Sequence, residues 1–202
     1  MTFLKTTILF FLIILFQTQS KTILFFGDSL TAGFGLSSPE KAFPSQFGIE
    51  LNKTNNKVKV LNGGLSGETS AGGLSRIDWV LRQPVDIFVL ELGANDGLRG
   101  LPLDQTKKNL QAIVDKVKSK YPKAKIVLAG MMVPPNMGKS YSDEFKKVYP
   151  DLATKNNCYL IPFLLEGVGG NEKLNQSDGI HPNDEGHKII AKNLVKFFEK
   201  LL

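Results

Sequence analysis

Two short stretches hold the residue types that acyl chemistry needs. "ILFFGDSLTAG", residues 23–33, carries an apolar run straight into Gly-Asp-Ser and leaves Ser29 where a buried strand meets the surface. A serine there either caps the following helix or acts as a nucleophile. A serine hydroxyl attacks only when a base takes its proton, and histidine, which ionises near neutrality, is the usual base. The chain has 2 histidines, His181 and His187. His181 sits in "SDGIHPND", three residues after Asp178. Pro182 keeps His181 out of the helical region, and Gly179 lets the backbone turn. An aspartate so held orients the imidazole and stabilises the imidazolium. His187 falls in "DEGHKII", in the first turns of a final helix, and is expected at the surface.

Taken alone, His181 reads as a loop histidine with local hydrogen bonds; paired with a serine behind the first strand, it reads as a base. Acyl transfer also needs donors for a developing oxyanion. "LSGET" offers the Gly67 N–H, which no side chain blocks, and "GAND" offers the Asn95 amide. Each has a plainer reading, Gly67 as a turn glycine and Asn95 as a turn cap. Asp28 is expected to fix the Ser29 turn by hydrogen bonding rather than to act as an acid.

The elements that must position these residues follow from hydrophobic periodicity. Residues 22–26, 58–62, 85–92 and 124–130 read as strands, with 158–163 as a short fifth strand limited by Pro162. Helical stretches fall at 40–53, 70–82, 104–120, 141–155 and 184–201. The last has Ile190, Leu194, Phe197 and Leu201 at helical spacing, an expected core stripe. Alternating helices and uninterrupted apolar strands predict an α/β fold with a parallel sheet covered on both faces. Active crevices of such sheets lie beyond the carboxyl ends of the strands. Ser29, "GGLSGETS", "GANDG" and "GMMVPPNMG" each follow a strand, and "SDGIHPND" precedes the last helix. No G-x-S-x-G elbow surrounds Ser29, which argues against the α/β-hydrolase fold.

With 202 residues, 42% hydrophobic and 22% charged, the chain suits one globular domain. Residues 1–20 differ. Lys5, an apolar run from Ile8 to Phe16 and a polar stretch ending at Ser20 have the layout of a cleaved secretory signal. Export to the periplasm or medium is therefore expected, with one domain over residues 21–202. The run is too short for a helix of about 20 residues that spans a bilayer. A formal net charge of +6, without blocks of like charge, reads as solubility, with at most weak attraction to a membrane surface and no nucleic-acid partner. Cys158 cannot make an internal disulfide and reads as a buried structural thiol. No zinc spacing and no phosphate loop occurs, so no metal and no cofactor is expected.

Four blocks, in order, resemble the SGNH hydrolases, also called GDSL esterases and lipases. They are "FGDSLTAG" with Ser29, "NGGLSGETSAGGLSR" with Gly67, "LELGANDGLRG" with Asn95, and "SDGIHPNDEGH" with Asp178 and His181. The resemblance covers residues 22–202 and extends, through "GANDGLRGLP", "VPPNMGKSY" and "DGIHPN", to the bacterial periplasmic thioesterase I, lysophospholipase and arylesterase subgroup. It implies a flavodoxin-like three-layer α/β/α sandwich with a five-stranded parallel sheet. It implies Ser29 as nucleophile, His181 as base and Asp178 as its orienter. The implied oxyanion donors are the Ser29 and Gly67 N–H groups and the Asn95 side chain. It implies activity on acyl esters, thioesters and lysophospholipids, and a substrate loop in "DGLRGLP", where a fixed turn would use the same residues.

Other readings remain open. One is a carbohydrate acetyl esterase of the same fold, against which the few aromatics in the site loops argue. Another is a binding protein that lost the chemistry. A metal-dependent hydrolase lacks ligands. The loops after the third and fourth strands bring Leu98, Leu101, Met132 and Pro134, with Met131, Val133, Pro135 and Met137, either to an apolar wall for an acyl chain or to the core beneath. The protein is expected to act as a monomer on small acyl substrates.

Overall fold

The computed structural model describes residues 20–54 and 57–202. The expected signal segment lies outside them except for Ser20. The elements run β1 (Lys21–Gly27), α1 (Ser29–Ala32), α2 (Phe43–Asn52), β2 (Val58–Gly64), α3 (Ser70–Val80), β3 (Ile87–Glu91), α4 (Ala94–Leu98) and α5 (Leu103–Lys120). They continue with β4 (Lys125–Ala129), α6 (Lys139–Phe145), α7 (Val148–Asn156), β5 (Tyr159–Ile161) and α8 (Asp184–Phe198). The five strands are all parallel in the order β2-β1-β3-β4-β5, the flavodoxin-like order. The chain winds outward to β2, then returns past β1 to β3. The crevice of such a sheet opens at that reversal, between the ends of β1 and β3.

Successive residues of β1 face opposite layers. Phe25 meets the rings of Phe43 and Phe47 edge-on, at 5.6 and 5.4 Å, and Phe198 at 6.4 Å, so α2 and α8 cover this face. Phe26 lies under the Arg76 guanidinium of α3, 4.3 Å from the ring centroid, on the other face. That layer continues through α5, whose Leu110, Ile113, Val114 and Val117 form one buried stripe. Every residue of β3 is buried, as a strand covered on both sides requires.

Two expected helices are interrupted, each by a proline. Over 141–155 the helix breaks between α6 and α7. Pro150 has no N–H to give the Lys146 carbonyl, and its ring would collide with that oxygen. Lys147 N instead bonds Glu144 O at 3.1 Å, a tighter turn that redirects the chain. Over 40–53, a 3-10 turn at Pro39–Lys41 gives way to extended Ala42, and α2 starts only at Phe43 with Pro44 in its first turn. The last helix ends at Phe198, and it is Phe198 rather than Phe197 that is fully buried, between Phe25 and Phe47. Among the described residues no helix is long and apolar enough to cross a membrane.

Candidate active site

Ser29 is the first residue of α1, separated from the end of β1 by Asp28 alone. The turn that delivers it is held by Asp28, whose Oδ1 accepts the Leu30 N–H at 3.0 Å. This is an N-cap bond, as the short acid before a helix should make. Ser29 itself is 9% exposed, so its hydroxyl sits in a cleft.

The loop before α8 brings the imidazole to it. Asn175 and Pro182 form an antiparallel bridge, Gln176 N bonds His181 O at 2.7 Å, and Gly179 turns the chain at φ 70°. A left-handed φ of that kind is one glycine adopts without strain. Gln176 Nε2 ties this loop to the Phe34 carbonyl at 2.7 Å, and the Phe34 ring lies 4.7 Å from the imidazole. His181 Nε2 lies 2.9 Å from Ser29 Oγ, and His181 Nδ1 lies 2.7 Å from Asp178 Oδ2. The other Asp178 oxygen accepts the N–H groups of Ile180 and His181, at 2.9 and 3.0 Å. These bonds, the His181 N–H first, then the imidazole and the Ile180 N–H, hold the Asp178 carboxyl down at about 2. An ionised carboxylate only accepts, so Nδ1 carries the ring proton in the neutral imidazole. Nε2 is then an acceptor, and the Ser29 hydroxyl is its donor. The three groups can thus move a proton off a serine oxygen and stabilise the cation that results.

Gly67 and Asn95 come from the loops after β2 and β3, the first of which is tied to the end of β1 by the Leu65 N bond to Gly27 O at 2.9 Å. The turn after β2 places Gly67 at φ 77°, and the Arg99 guanidinium holds its carbonyl at 2.9 Å. Asn95 stands in the first turn of α4, after left-handed Gly93. One of its two amide hydrogens goes to Asp28 Oδ2 at 3.0 Å, which fixes the orientation of the amide. Its amide nitrogen thus bonds across to Asp28, the N-cap of α1, rather than to its own turn.

Several residues escaped the sequence reading. Glu91 is completely buried beneath the Ser29 turn, and its carboxyl is pushed well above the usual range by burial and by Asp28. Burial raises Asp28 as well, to about 6, against the Leu30, Asn95 and Glu91 bonds that lower it. The signal for Glu91 was a lone acid in the apolar run "IFVLELG". Asp96, also buried, accepts Ser70 N at 2.8 Å, Ser70 Oγ at 2.5 Å and Thr106 Oγ1 at 3.2 Å, and so joins α3, α4 and α5 below the cleft.

His187 corrects an expectation. It is 1% exposed, its Nδ1 accepts the Phe43 N–H at 3.0 Å, and its ring stacks on Phe43. It lies three and seven residues before Ile190 and Leu194, on the stripe that faces α2, and that spacing could have revealed it. The apolar loop residues divide. Met131 and Val133 are core, whereas Leu98, Leu101, Met132 and Pro134 are exposed. Cys158 is half-buried. Among the described residues no group of three or more His, Cys, Asp or Glu side chains could hold a metal ion.

Comparison with known proteins finds one family model, that of the GDSL-like lipase/acylhydrolase family, matching residues 25–189. An arylesterase of Vibrio mimicus is 38% identical over 198 residues, 96% of this chain and 98% of that protein. The thioesterase 1/protease 1/lysophospholipase L1 of Escherichia coli (strain K12) is 36% identical over 196 residues, 96% of this chain and 91% of that protein. The crystal structure of TesA superposes with a TM-score of 0.84 at 36% identity, covering 90% of this chain and 100% of that one.

Proposed function

The chain belongs to the GDSL-like lipase/acylhydrolase family of SGNH hydrolases, which act on ester bonds, and from that premise we propose that it is an exported serine esterase of acyl esters and thioesters. Its substrates are small acyl compounds of the arylesterase, acyl-CoA thioesterase and lysophospholipase kinds. The observation that carries the reading is the contact chain from Ser29 Oγ through His181 to Asp178, at 2.9 and 2.7 Å.

In this mechanism His181 Nε2 takes the Ser29 proton as Oγ bonds the acyl carbon. The carbonyl oxygen becomes an anion, met by the Ser29 and Gly67 N–H groups and the free hydrogen of the Asn95 amide. Collapse breaks the bond to the leaving oxygen or sulfur, which takes the proton from imidazolium. Water then gives its proton to His181 and its oxygen to the acyl carbon, and the acid departs as Ser29 is regenerated. Asp178 keeps the ring in one tautomer throughout. Leu98, Leu101, Met132 and Pro134 form the wall for the acyl chain. The segment 1–20 directs export and is removed, leaving residues 21–202 as a monomer outside the cytoplasm, with no nucleic-acid partner and at most weak contact with a membrane surface.

The test is a panel of p-nitrophenyl esters, acyl-CoAs, lysophospholipids and acetylated sugars, run on wild type and Ser29→Ala. Acyl esters and thioesters should turn over, Ser29→Ala should be inert, and a serine-directed phosphonate should label Ser29. Labelling at Ser66 or Ser70, or turnover of acetylated sugars alone, refutes the proposal.

A further inference from the structure

One carboxyl group lies beneath the nucleophile turn and has no part in the mechanism above. Glu91 closes β3 and is fully buried. Its Oε2 accepts the Asp28 N–H at 3.1 Å and the Thr31 hydroxyl at 2.8 Å, two donors that bracket Ser29 in the chain. Its Oε1 has no hydrogen-bond partner among the described residues. Gly27, its register partner in β1, makes room for it: a Cβ there would stand 2.3 Å from Glu91 Oε2. Asp28 carries the arrangement outward, with one oxygen on the Leu30 N–H and the other on the Asn95 amide.

We propose that Glu91 is a positioning residue: it grips the turn on both sides of Ser29 and, through Asp28, aims the Asn95 amide into the cleft. The inference rests on the roles of Ser29 and Asn95 proposed above. Glu91 does this as a neutral acid. Two adjoining buried carboxyls do not both ionise, because like charges in a poorly solvated site repel strongly. The charge stays on Asp28, where the Leu30 and Asn95 N–H groups meet it, whereas Glu91 Oε1 has nothing to meet a charge. Burial and Asp28 push Glu91 in that direction. As a neutral acid Glu91 still accepts both donors at Oε2 and adds no second charge beside Asp28.

The neutral form predicts which substitutions are tolerated. Glu91→Gln puts an amide oxygen at the same reach with no charge, and its kcat should stay near wild type. Glu91→Asp keeps the acid but is one methylene shorter, so its oxygen withdraws from both donors. Its kcat should fall about 10- to 100-fold with KM little changed, since sub-ångström misplacement acts on the transition state rather than on binding. Thr31→Val, which removes one donor and leaves the carboxyl, should lower kcat in the same direction, and it decides the matter if Glu91→Asp does not fold. Kinetics are read on protein whose circular dichroism matches wild type. Wild-type kcat in folded Glu91→Asp or Thr31→Val, or a loss in Glu91→Gln, overturns the proposal. Ser29→Ala, assayed alongside, separates the failures: full activity there sinks the nucleophile reading, whereas an inert Ser29→Ala beside unaffected Glu91→Asp sinks the Glu91 proposal alone.

Discussion

The buried histidine of α8 should make the protein sensitive to acid. Protonation of His187 at Nδ1 would cost the Phe43 N–H its acceptor and bury a charge between α2 and α8. Burial accordingly pulls its pKa from 6.5 to about 4, with the Asp184 carboxylate opposing and His181 adding to the fall. The unfolded chain takes up this proton as pH drops through about 6.5, but the native chain does not until about 4. Between those values the unfolded state binds more protons, so stability falls as pH falls. The contribution is complete above the unfolded pKa and is lost progressively towards the folded one. A separation of this size amounts to on the order of 3 kcal/mol. For a chain of this length that lowers the melting temperature by roughly 6–12 °C. The control is His187→Asn, whose amide oxygen can accept the Phe43 N–H but does not titrate. Melting curves of both proteins from pH about 7.5 to about 4.5 isolate His187, because the carboxylates titrate in both. His187→Asn should start lower, having lost the ring stacking on Phe43, and should fall less steeply. Parallel loss of stability in the two proteins would refute the argument.

Three further outcomes follow from the cleft. Asp178→Asn should lower kcat about 1000- to 10,000-fold. The Ile180 and His181 N–H groups hold the amide oxygen on their side, so the NH2 faces Nδ1, the ring proton moves to Nε2, and Ser29 meets a donor instead of a base; a variant that retains kcat would show that this carboxylate does not set the tautomer. Asn95→Ala should lower kcat about 100- to 1000-fold with a smaller change in KM, and a loss of melting temperature with full activity per folded molecule would leave it a structural tie to Asp28. Catalytic efficiency should rise with acyl length, up to about 0.8 kcal/mol for each buried CH2, until the groove is full. Leu101→Ser or Met132→Ser should flatten that rise and spare acetyl esters, and a flat profile in wild type would remove the acyl wall.

Much of this was legible in the sequence because the signals were local. Five apolar runs bounded by turn residues are the five strands, and "SDGIHPND" announces a turn that its own Gly179, Asp178 and Pro182 largely build. The breaks at Pro44 and Pro150 were also local, and were missed because hydrophobic periodicity runs across them undisturbed. What stayed hidden depends on residues distant in the chain. His187 looked like a surface residue because its partner, the Phe43 N–H, is 144 positions away. Which of the loop residues are core was equally invisible: Met131, Met132 and Val133 are consecutive and apolar, and only the direction of the chain leaving β4 buries the first and third.

Glu91 takes this furthest, since its place depends on the pairing of two strands. In the β1–β3 register Gly27 stands opposite Glu91, so the Ser29 turn and the Asn95 turn spring from the same point of the sheet. A slip of one residue in β3 would send the Glu91 side chain to the other face. The carboxyl would then meet the α3 and α5 layer, and Asp28 N–H and the Thr31 hydroxyl would lose their acceptor in the interior. Gly27 adds a second condition, because any side chain there would stand within 2.3 Å of both Thr31 Oγ1 and Glu91 Oε2. The Gly before Asp-Ser and the Glu before Leu-Gly-Ala-Asn are thus one requirement written in two places: the missing Cβ of one makes room for the carboxyl of the other. Neither is interpretable alone, which is why a motif reading centred on Ser29 and Asn95 passed over the group that holds them together.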